Sequence, residues 1–261
     1  MSYTHIVVDT HSKPEGEYVA ITLNRLDKRN ALSLELMSEL LDAFQAVGAG
    51  KARGVMLAAA GPVFSAGHDF ADMAGRDLAG MRALLKRCTE LMREIQRIPQ
   101  PVLACVNGLA TAAGCQLVAS CDLAVASEEA RFATPGGKGA WFCVTPMVAV
   151  SRNIGRKRAL ELLFTGDSIG AETAAAWGLV NRVVPTAELE AAAWELLERA
   201  TRGSALSKGI GKQAFYAAID MDQTQAYAYA LEVMASSALT DDAQEGMAAF
   251  LEKRRPIFKG S

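Results

Sequence analysis

The chain has 261 residues, 51% of them hydrophobic and 21% charged, an ordinary globular composition long enough for a full hydrophobic core. Its net charge of −2 argues against nucleic acid or an anionic membrane surface as a partner. Five cysteines without a CxxC pair, most in apolar surroundings, read as reduced core residues of a cytoplasmic protein rather than a disulfide framework.

The first ten residues, MSYTHIVVDT, lack a basic stretch followed by an apolar core, so no secretory signal is expected. Strands are expected at 5–8 and 18–23, separated by the turn-forming SKPEGE. After the polar and basic loop NRLDKRNALS, Ser33 is placed to cap a helix over 34–47, with Leu36, Leu40, Leu41 and Phe44 on one face. A buried strand at 55–59 ends in GPVFSAGHDF, where glycine and proline force a turn and Asp69 is placed to cap a short helix. An amphipathic helix over 79–98 is stopped by Pro99 and Pro101.

The segment from Pro101 to Asp122, PVLACVNGLATAAGCQLVASCD, carries no formal charge before its final aspartate. A run of about 20 such residues resembles a membrane span, but Asn107-Gly108, Thr111, Gly114 and Gln116 interrupt it. It reads instead as a strand at 102–106, a turn and a helix at 112–120. Short strands follow at 122–127 and 131–133, then the loop PGGKGAWFCVTP, the segment 147–152 and a helix at 157–164. Ser168 is placed to cap a short helix before Trp177, and 182–184 is a last strand. Helices at 188–200, 207–218, 227–236 and 241–253 complete an α/β core to about residue 185 (1–185) with a helical C-terminal region (186–261).

Two strand-to-helix turns concentrate small residues: Phe64 to Asp69, and Asn107-Gly108 to Ala112-Ala113-Gly114. Such turns are able to aim one backbone N–H each, from Ala66 and Ala113, at the same oxygen, forming an oxyanion hole. The ordinary alternative is that each is a plain glycine turn. GxxxxGK, GxGxxG and GxSxG motifs are missing, and three histidines and no Cys/His cluster leave no metal site to expect.

In order, FSAGHDF, VNGLATAAGCQLVASCDLAVAS, RFATP, FTGDSI, AAAWGLVNRVV and EGMAAFLEKRRPIF resemble the enoyl-CoA hydratase/isomerase (crotonase) superfamily. The likeness extends from LNRLDKRNAL, which begins at residue 23, to Phe258. It implies a spiral of ββα turns, with the C-terminal helices building trimers and often hexamers. It also implies binding of an acyl-CoA thioester, part of fatty acid metabolism, with its carbonyl polarised by the N–H groups of Ala66 and Ala113. CoA then enters as part of the substrate and no separate cofactor is implied. The LDKRNAL loop would lie along CoA, with Lys28 and Arg29 near its phosphates. Ala31, Gly67, Asp69 and Gly114 are further substrate-binding candidates. Phe250 and Lys253 match positions that touch the nucleotide end, often from a neighbouring subunit. The alternatives are plain surface charges at Lys28, Arg29 and Lys253, and core packing for Phe250.

The sequence departs from this pattern at the chemistry itself. Hydratases of the family use two glutamates, one to activate water and one to protonate the α-carbon. Gln116 stands at the first position and Gly136 at the second. Each lost proton-transfer group is worth about 10²–10⁴ in rate. His68 is the one histidine near the site and a possible substitute acid/base; the alternative is packing at the helix start. Cys115 and Cys143 have no neighbour in sequence that would lower a thiol pKa. Three readings follow: an acyl- or enoyl-CoA enzyme with weak or absent hydratase activity, a non-catalytic CoA-thioester-binding protein, and an acyl-CoA hydrolase.

Overall fold

The computed structural model describes residues 3–261. β1 (Ile6–Lys13) and β2 (Gly16–Leu23) form an antiparallel hairpin whose register runs from Ile6 opposite Leu23 to Lys13 opposite Gly16. The first strand is longer than expected, and the turn shrinks to Pro14 and Glu15. Val7 to Thr10 are all exposed on this edge strand, so no apolar alternation marks its length in the sequence.

Helix α1 (Leu34–Gly48) begins at Ser33, whose Oγ accepts the Leu36 N–H at 3.2 Å, and Leu36, Leu40, Leu41 and Phe44 are buried together. Next come β3 (Val55–Ala59), α2 (Phe70–Met73) and α3 (Leu78–Arg97). β4 (Val102–Val106), β5 (Leu109–Thr111) and α4 (Ala113–Ser120) divide the uncharged run. Sequence reading misses β5, because three residues are too few to show a period. β6 (Leu123–Ser127), β7 (Arg131–Ala133), α5 (Val144–Asn153) and α6 (Arg156–Thr165) follow, then β8 (Ile169–Gly170), α7 (Ala171–Trp177) and β9 (Arg182–Val184). Ser168 does not cap α7: the cap position falls at Gly170, because Ile169 pairs with Phe132 and delays the helix. Helices α8 (Leu189–Ala200), α9 (Ala205–Ala218), α10 (Gln223–Ser237) and α11 (Asp241–Glu252) complete the chain.

Six strands form one sheet in the order β1-β2-β3-β4-β6-β9, parallel from β2 onward, and β5-β7-β8 form a second. The chain thus places β4 in the large sheet and β5 in the small one before α4, then repeats the step with β6, β7 and the helices after them. This is a ββα spiral.

The strand pleat separates two cores. Ile21, Leu57 and Ala104 face one way, onto Phe44, Leu91 and Leu117 of α1, α3 and α4. Tyr18, Met56, Leu103 and Cys105 face the other way, onto Leu189, Trp194 and Leu197 of α8. Further along, α9 is anchored by Lys212, which lies 2.7 Å from Asp122 Oδ2 and donates to the carbonyls of Ile95 and Gln100. Among the described residues no helix is long and apolar enough to cross a membrane. Because β3 and β4 run parallel, the segments leaving them emerge side by side at one sheet edge.

Candidate active site

Three backbone segments meet at that edge. The first is the loop between β2 and α1, where Arg29 and Asn30 both take left-handed conformations, with φ of 51° and 53°. Asparagine tolerates that region, and here its buried side chain holds the loop in place. Asn30 Oδ1 accepts the Arg25 N–H, and Nδ2 donates to the carbonyls of Ala60 and Val63.

The second segment is the turn after β3. Its N–H groups are almost all committed: Ser65 to the Leu109 carbonyl, Ala66 to the Arg29 carbonyl at 3.0 Å, Gly67 to Ser65 Oγ and Asp69 to the Leu32 carbonyl. His68 alone between Ser65 and Asp69 has an N–H with no acceptor among the described residues. This corrects the expectation for Ala66. Its donor points back into the β2–α1 loop, and the open donor on this turn is two residues later.

The third segment joins β5 to α4. Ala112 sits at φ 50° and ψ −116°, a conformation costing a non-glycine residue on the order of 1–3 kcal/mol. Its carbonyl accepts the Gln116 N–H at 3.0 Å and starts the helix. The Ala113 N–H, first in α4, has no acceptor among the described residues, as helix geometry requires of a first-turn donor.

Two glycines bring the second and third segments into contact. Gly67 has φ +85°, and a Cβ there would lie 2.9 Å from both the Thr111 carbonyl oxygen and Ala112 Cβ, and 3.4 Å from the Ala113 nitrogen. A Cβ on Gly114 would lie 2.5 Å from the Ser65 carbonyl oxygen. Neither position has room for a side chain, so the turns carrying the His68 and Ala113 donors are held in contact.

They border a cavity of about 780 Å³. Lys28, Ala31, Ala66, His68, Asp69 and Ala112 form part of its wall, and the segment 135–146 supplies much of the rest, including Gly136, Trp141 and Phe142. Gly67, Ala113, Gly114 and Gln116 stand behind this surface, and Arg29 is exposed outside it. Phe250 and Lys253 are exposed at the end of α11 and form no part of the cavity wall.

The titratable groups in the wall differ sharply. Burial lowers the His68 pKa to about 4, leaving a neutral ring whose buried Nε2 has no hydrogen-bond partner among the described residues. Burial alone would raise Asp69, but Arg25, 2.6 Å away, and the N–H groups of Ala71 and Asp72 outweigh it and hold the carboxyl below its usual range. Asp69 also caps α2 as expected, through the Ala71 N–H at 2.9 Å. Burial pushes the Cys115 thiol up to about 12; it also raises Cys143, against the Gly136 N–H. Among the described residues no glutamate lines the cavity. A Cβ on Gly136 would overlap the Trp141 carbonyl oxygen and lie 2.9 Å from Cys143 Sγ. Gln116 is buried on α4, and its Oε1 has no partner among the described residues. Among the described residues no group of three or more His, Cys, Asp or Glu is placed to hold a metal ion.

Comparisons of sequence and of fold point to one family. The enoyl-CoA hydratase/isomerase family model matches residues 15–261. Enoyl-CoA hydratase domain-containing protein 3, mitochondrial, of Mus musculus is 44% identical over 245 residues, covering 91% of this chain and 80% of that protein. The crystal structure of an enoyl-CoA hydratase of Mycobacterium smegmatis aligns with a TM-score of 0.91 and 44% identity, over 96% of this chain and 98% of that one. Human enoyl Coenzyme A hydratase domain-containing protein 3 aligns with a TM-score of 0.90 and 38% identity, over 96% and 99% of the two chains.

Proposed function

The chain belongs to the enoyl-CoA hydratase/isomerase family, and we propose that it binds an acyl- or enoyl-CoA thioester whose carbonyl oxygen accepts the N–H groups of His68 and Ala113. The observation that carries this reading is the pairing of two open donors on turns locked together by Gly67 and Gly114 beside the cavity. Negative charge that develops on the thioester oxygen is stabilised there, and one such donor typically contributes about 10²–10³ in rate. Lys28 at the cavity wall and Arg29 just outside it meet the CoA phosphates; Ala31, Gly67, Asp69 and Gly114 shape the surface around the thioester. CoA enters as part of the substrate.

Ordinary hydration is not supported. It needs a group to activate water and another to protonate carbon, each worth about 10²–10⁴. Gln116 carries an amide, and Gly136 has no space for any side chain. Asp69 is ion-paired with Arg25. His68 is the remaining candidate acid/base, but burial weakens it as a proton acceptor. The same observations favour a second reading, a CoA-thioester-binding protein without catalysis. An acyl-CoA hydrolase has less support, because burial disfavours the thiolate at both Cys115 and Cys143.

Assembly belongs to the same reading. Tyr227, Leu231 and Met234 on α10, with Phe250 and Leu251 on α11, are all more than 60% exposed, which suits surfaces covered by further copies. A homotrimer or a hexamer would bring Phe250 and Lys253 to a neighbour's CoA nucleotide. Five buried free cysteines suit a reducing compartment such as the cytoplasm.

The test is product analysis by mass spectrometry over a panel of acyl- and enoyl-CoA thioesters, with calorimetry to measure binding. Binding with a new product supports the enzyme, and binding without turnover supports the binding protein. Crotonyl-CoA consumption at about 10 s⁻¹, an ordinary enzyme rate, would overturn the loss of hydratase function.

A further inference from the structure

The two open backbone donors are held in different ways. The Ala113 N–H is the first of α4, so the helix itself aims it. The His68 N–H has no such helix behind it. It belongs to the trans peptide that joins Gly67 to His68, and in a planar trans peptide the N–H and the C=O point in opposite directions. Whatever holds the Gly67 carbonyl therefore aims the His68 donor. That holder is the Leu32 N–H, which donates to the Gly67 carbonyl at 2.7 Å. The Asp69 N–H returns a bond to the Leu32 carbonyl at 3.2 Å, so Leu32 and His68 form a short parallel bridge between the β2–α1 loop and the turn after β3.

Gly67 sits at φ +85°, and glycine restrains the rotation of its neighbouring peptide less than any other residue. Reversing that peptide would withdraw the donor. Arg25 closes the bridge from outside. Its Nη1 donates to Asp69 Oδ2 at 2.6 Å and to the Ala31 carbonyl at 3.1 Å. One nitrogen thus spans both sides, one residue after His68 and one residue before Leu32. The two side chains are 16% and 10% exposed, so water screens this pair less than a surface pair. The Arg25 backbone is fixed as well: its N–H donates to Asn30 Oδ1 and its carbonyl accepts the Asn30 N–H, both at 2.9 Å.

We infer that Arg25 is a positioning residue. Its bond to Asp69 keeps the β2–α1 loop against the turn after β3, and so keeps the Gly67–His68 peptide turned with its N–H free for a thioester carbonyl. The inference rests on the proposed thioester site. Arg25 forms no part of the cavity wall, so it acts through the peptide and not on the substrate.

The experiment is isotope-edited infrared spectroscopy of butyryl-CoA labelled with carbon-13 at the thioester carbon and bound to the full-length protein, with calorimetry to establish binding. Butyryl-CoA has no double bond to hydrate. Hydrogen bonds to the thioester carbonyl lower its stretching frequency, so the downshift reads the donors directly. Arg25→Met should lose about half of the wild-type downshift, the share of one donor of two. Arg25→Lys, which keeps a cation beside Asp69, should recover part of it. Arg53→Met is the control. Arg53 donates to the carbonyls of Thr201 and Gly203, both at 2.6 Å, and forms no part of this cavity wall, so its loss should lower stability and leave the downshift whole.

A full downshift in Arg25→Met overturns the inference and leaves the thioester site standing. A downshift as weak in Arg25→Lys as in Arg25→Met also overturns it, as does an equal loss in Arg53→Met. If Arg25→Met does not fold, Asp69→Asn removes the charge pair from the other side with little change of shape, and a full downshift there overturns the inference in the same way. A wild-type protein that binds no butyryl-CoA, or binds it without a downshift, overturns the thioester site itself and the inference with it.

Discussion

A Cβ on Gly136 would collide with the carbonyl oxygen of Trp141. Position 136 is thus closed to a side chain by this chain's own backbone. Cys143 Sγ, 2.9 Å from the same point, closes it further.

Restoring the glutamates is expected to fail. Gly136→Glu should destabilise the protein by about 1–3 kcal/mol through overpacking, measured by urea unfolding. The double variant Gln116→Glu/Gly136→Glu should remain without crotonyl-CoA hydration, followed by enoyl-thioester absorbance. A gain of about 10²-fold or more, the usual worth of one proton-transfer group, would show that the segment opens to accept the side chain.

Gly67→Ala should push apart the turns that carry the His68 and Ala113 donors, because its Cβ would lie 2.9 Å from the Thr111 carbonyl oxygen at φ +85°. Strain and overlap together should cost about 1–3 kcal/mol of stability and lower acyl-CoA affinity by about tenfold or more, the worth of about 1.4 kcal/mol. Gly75→Ala is the control: φ is +77°, but nothing lies within 4 Å of its Cβ. That variant should lose stability through strain alone and keep its affinity for acyl-CoA, read by calorimetry.

The buried His68 ring makes stability fall with acidity. Its pKa in the fold is about 4, against an ordinary 6.5. Between these values the unfolded chain binds the extra proton, so stability is present above about pH 6.5 and is lost as pH falls toward 4. The full loss is about 3 kcal/mol, reached only below pH 4. His68→Phe should show a shallower decline over that window in denaturant unfolding. Only three histidines exist, so a ring-proton NMR titration reads the value directly.

Lys212→Met should leave the buried Asp122 without its cationic partner at 2.7 Å, held only by the Val102 N–H and the Tyr216 hydroxyl, and strip donors from the carbonyls of Ile95 and Gln100. Breaking one side of such a pair costs about 3–5 kcal/mol. The double variant Asp122→Asn/Lys212→Met should recover part of that loss. Urea midpoints of the two variants check this, and equal losses would mean that the pair itself contributes little.

Local chemistry was legible in the residues. Ser33 and Asp69 cap the helices they were expected to cap, since a short oxygen-bearing side chain before an apolar face serves that role in most settings. The strands at Val55–Ala59 and Val102–Val106 declared themselves as apolar runs bounded by turn residues. The order of motifs identified the family, and the small residues at Gly67 and Gly114 marked where two turns would meet.

What the sequence by itself determined, then, was the set of elements, the family and the neighbourhood of the site. Only the tertiary structure decided which donor is open. Ala66 and His68 sit on one turn, and nothing local tells them apart. The choice depends on the Arg29 carbonyl, which arrives from a distant loop and takes the Ala66 N–H. The tertiary structure likewise decided that Gly136 has no room, that the three residues of β5 pair as a strand, and that Phe250 and Lys253 stand outside this chain's own cavity. At Gly136 the outcome turns on the 141–143 backbone folding back over it, and at the Ala66 N–H and β5 on partners farther away in the chain; hydrogen bonds and excluded volume between such groups exist only once the fold has brought them together.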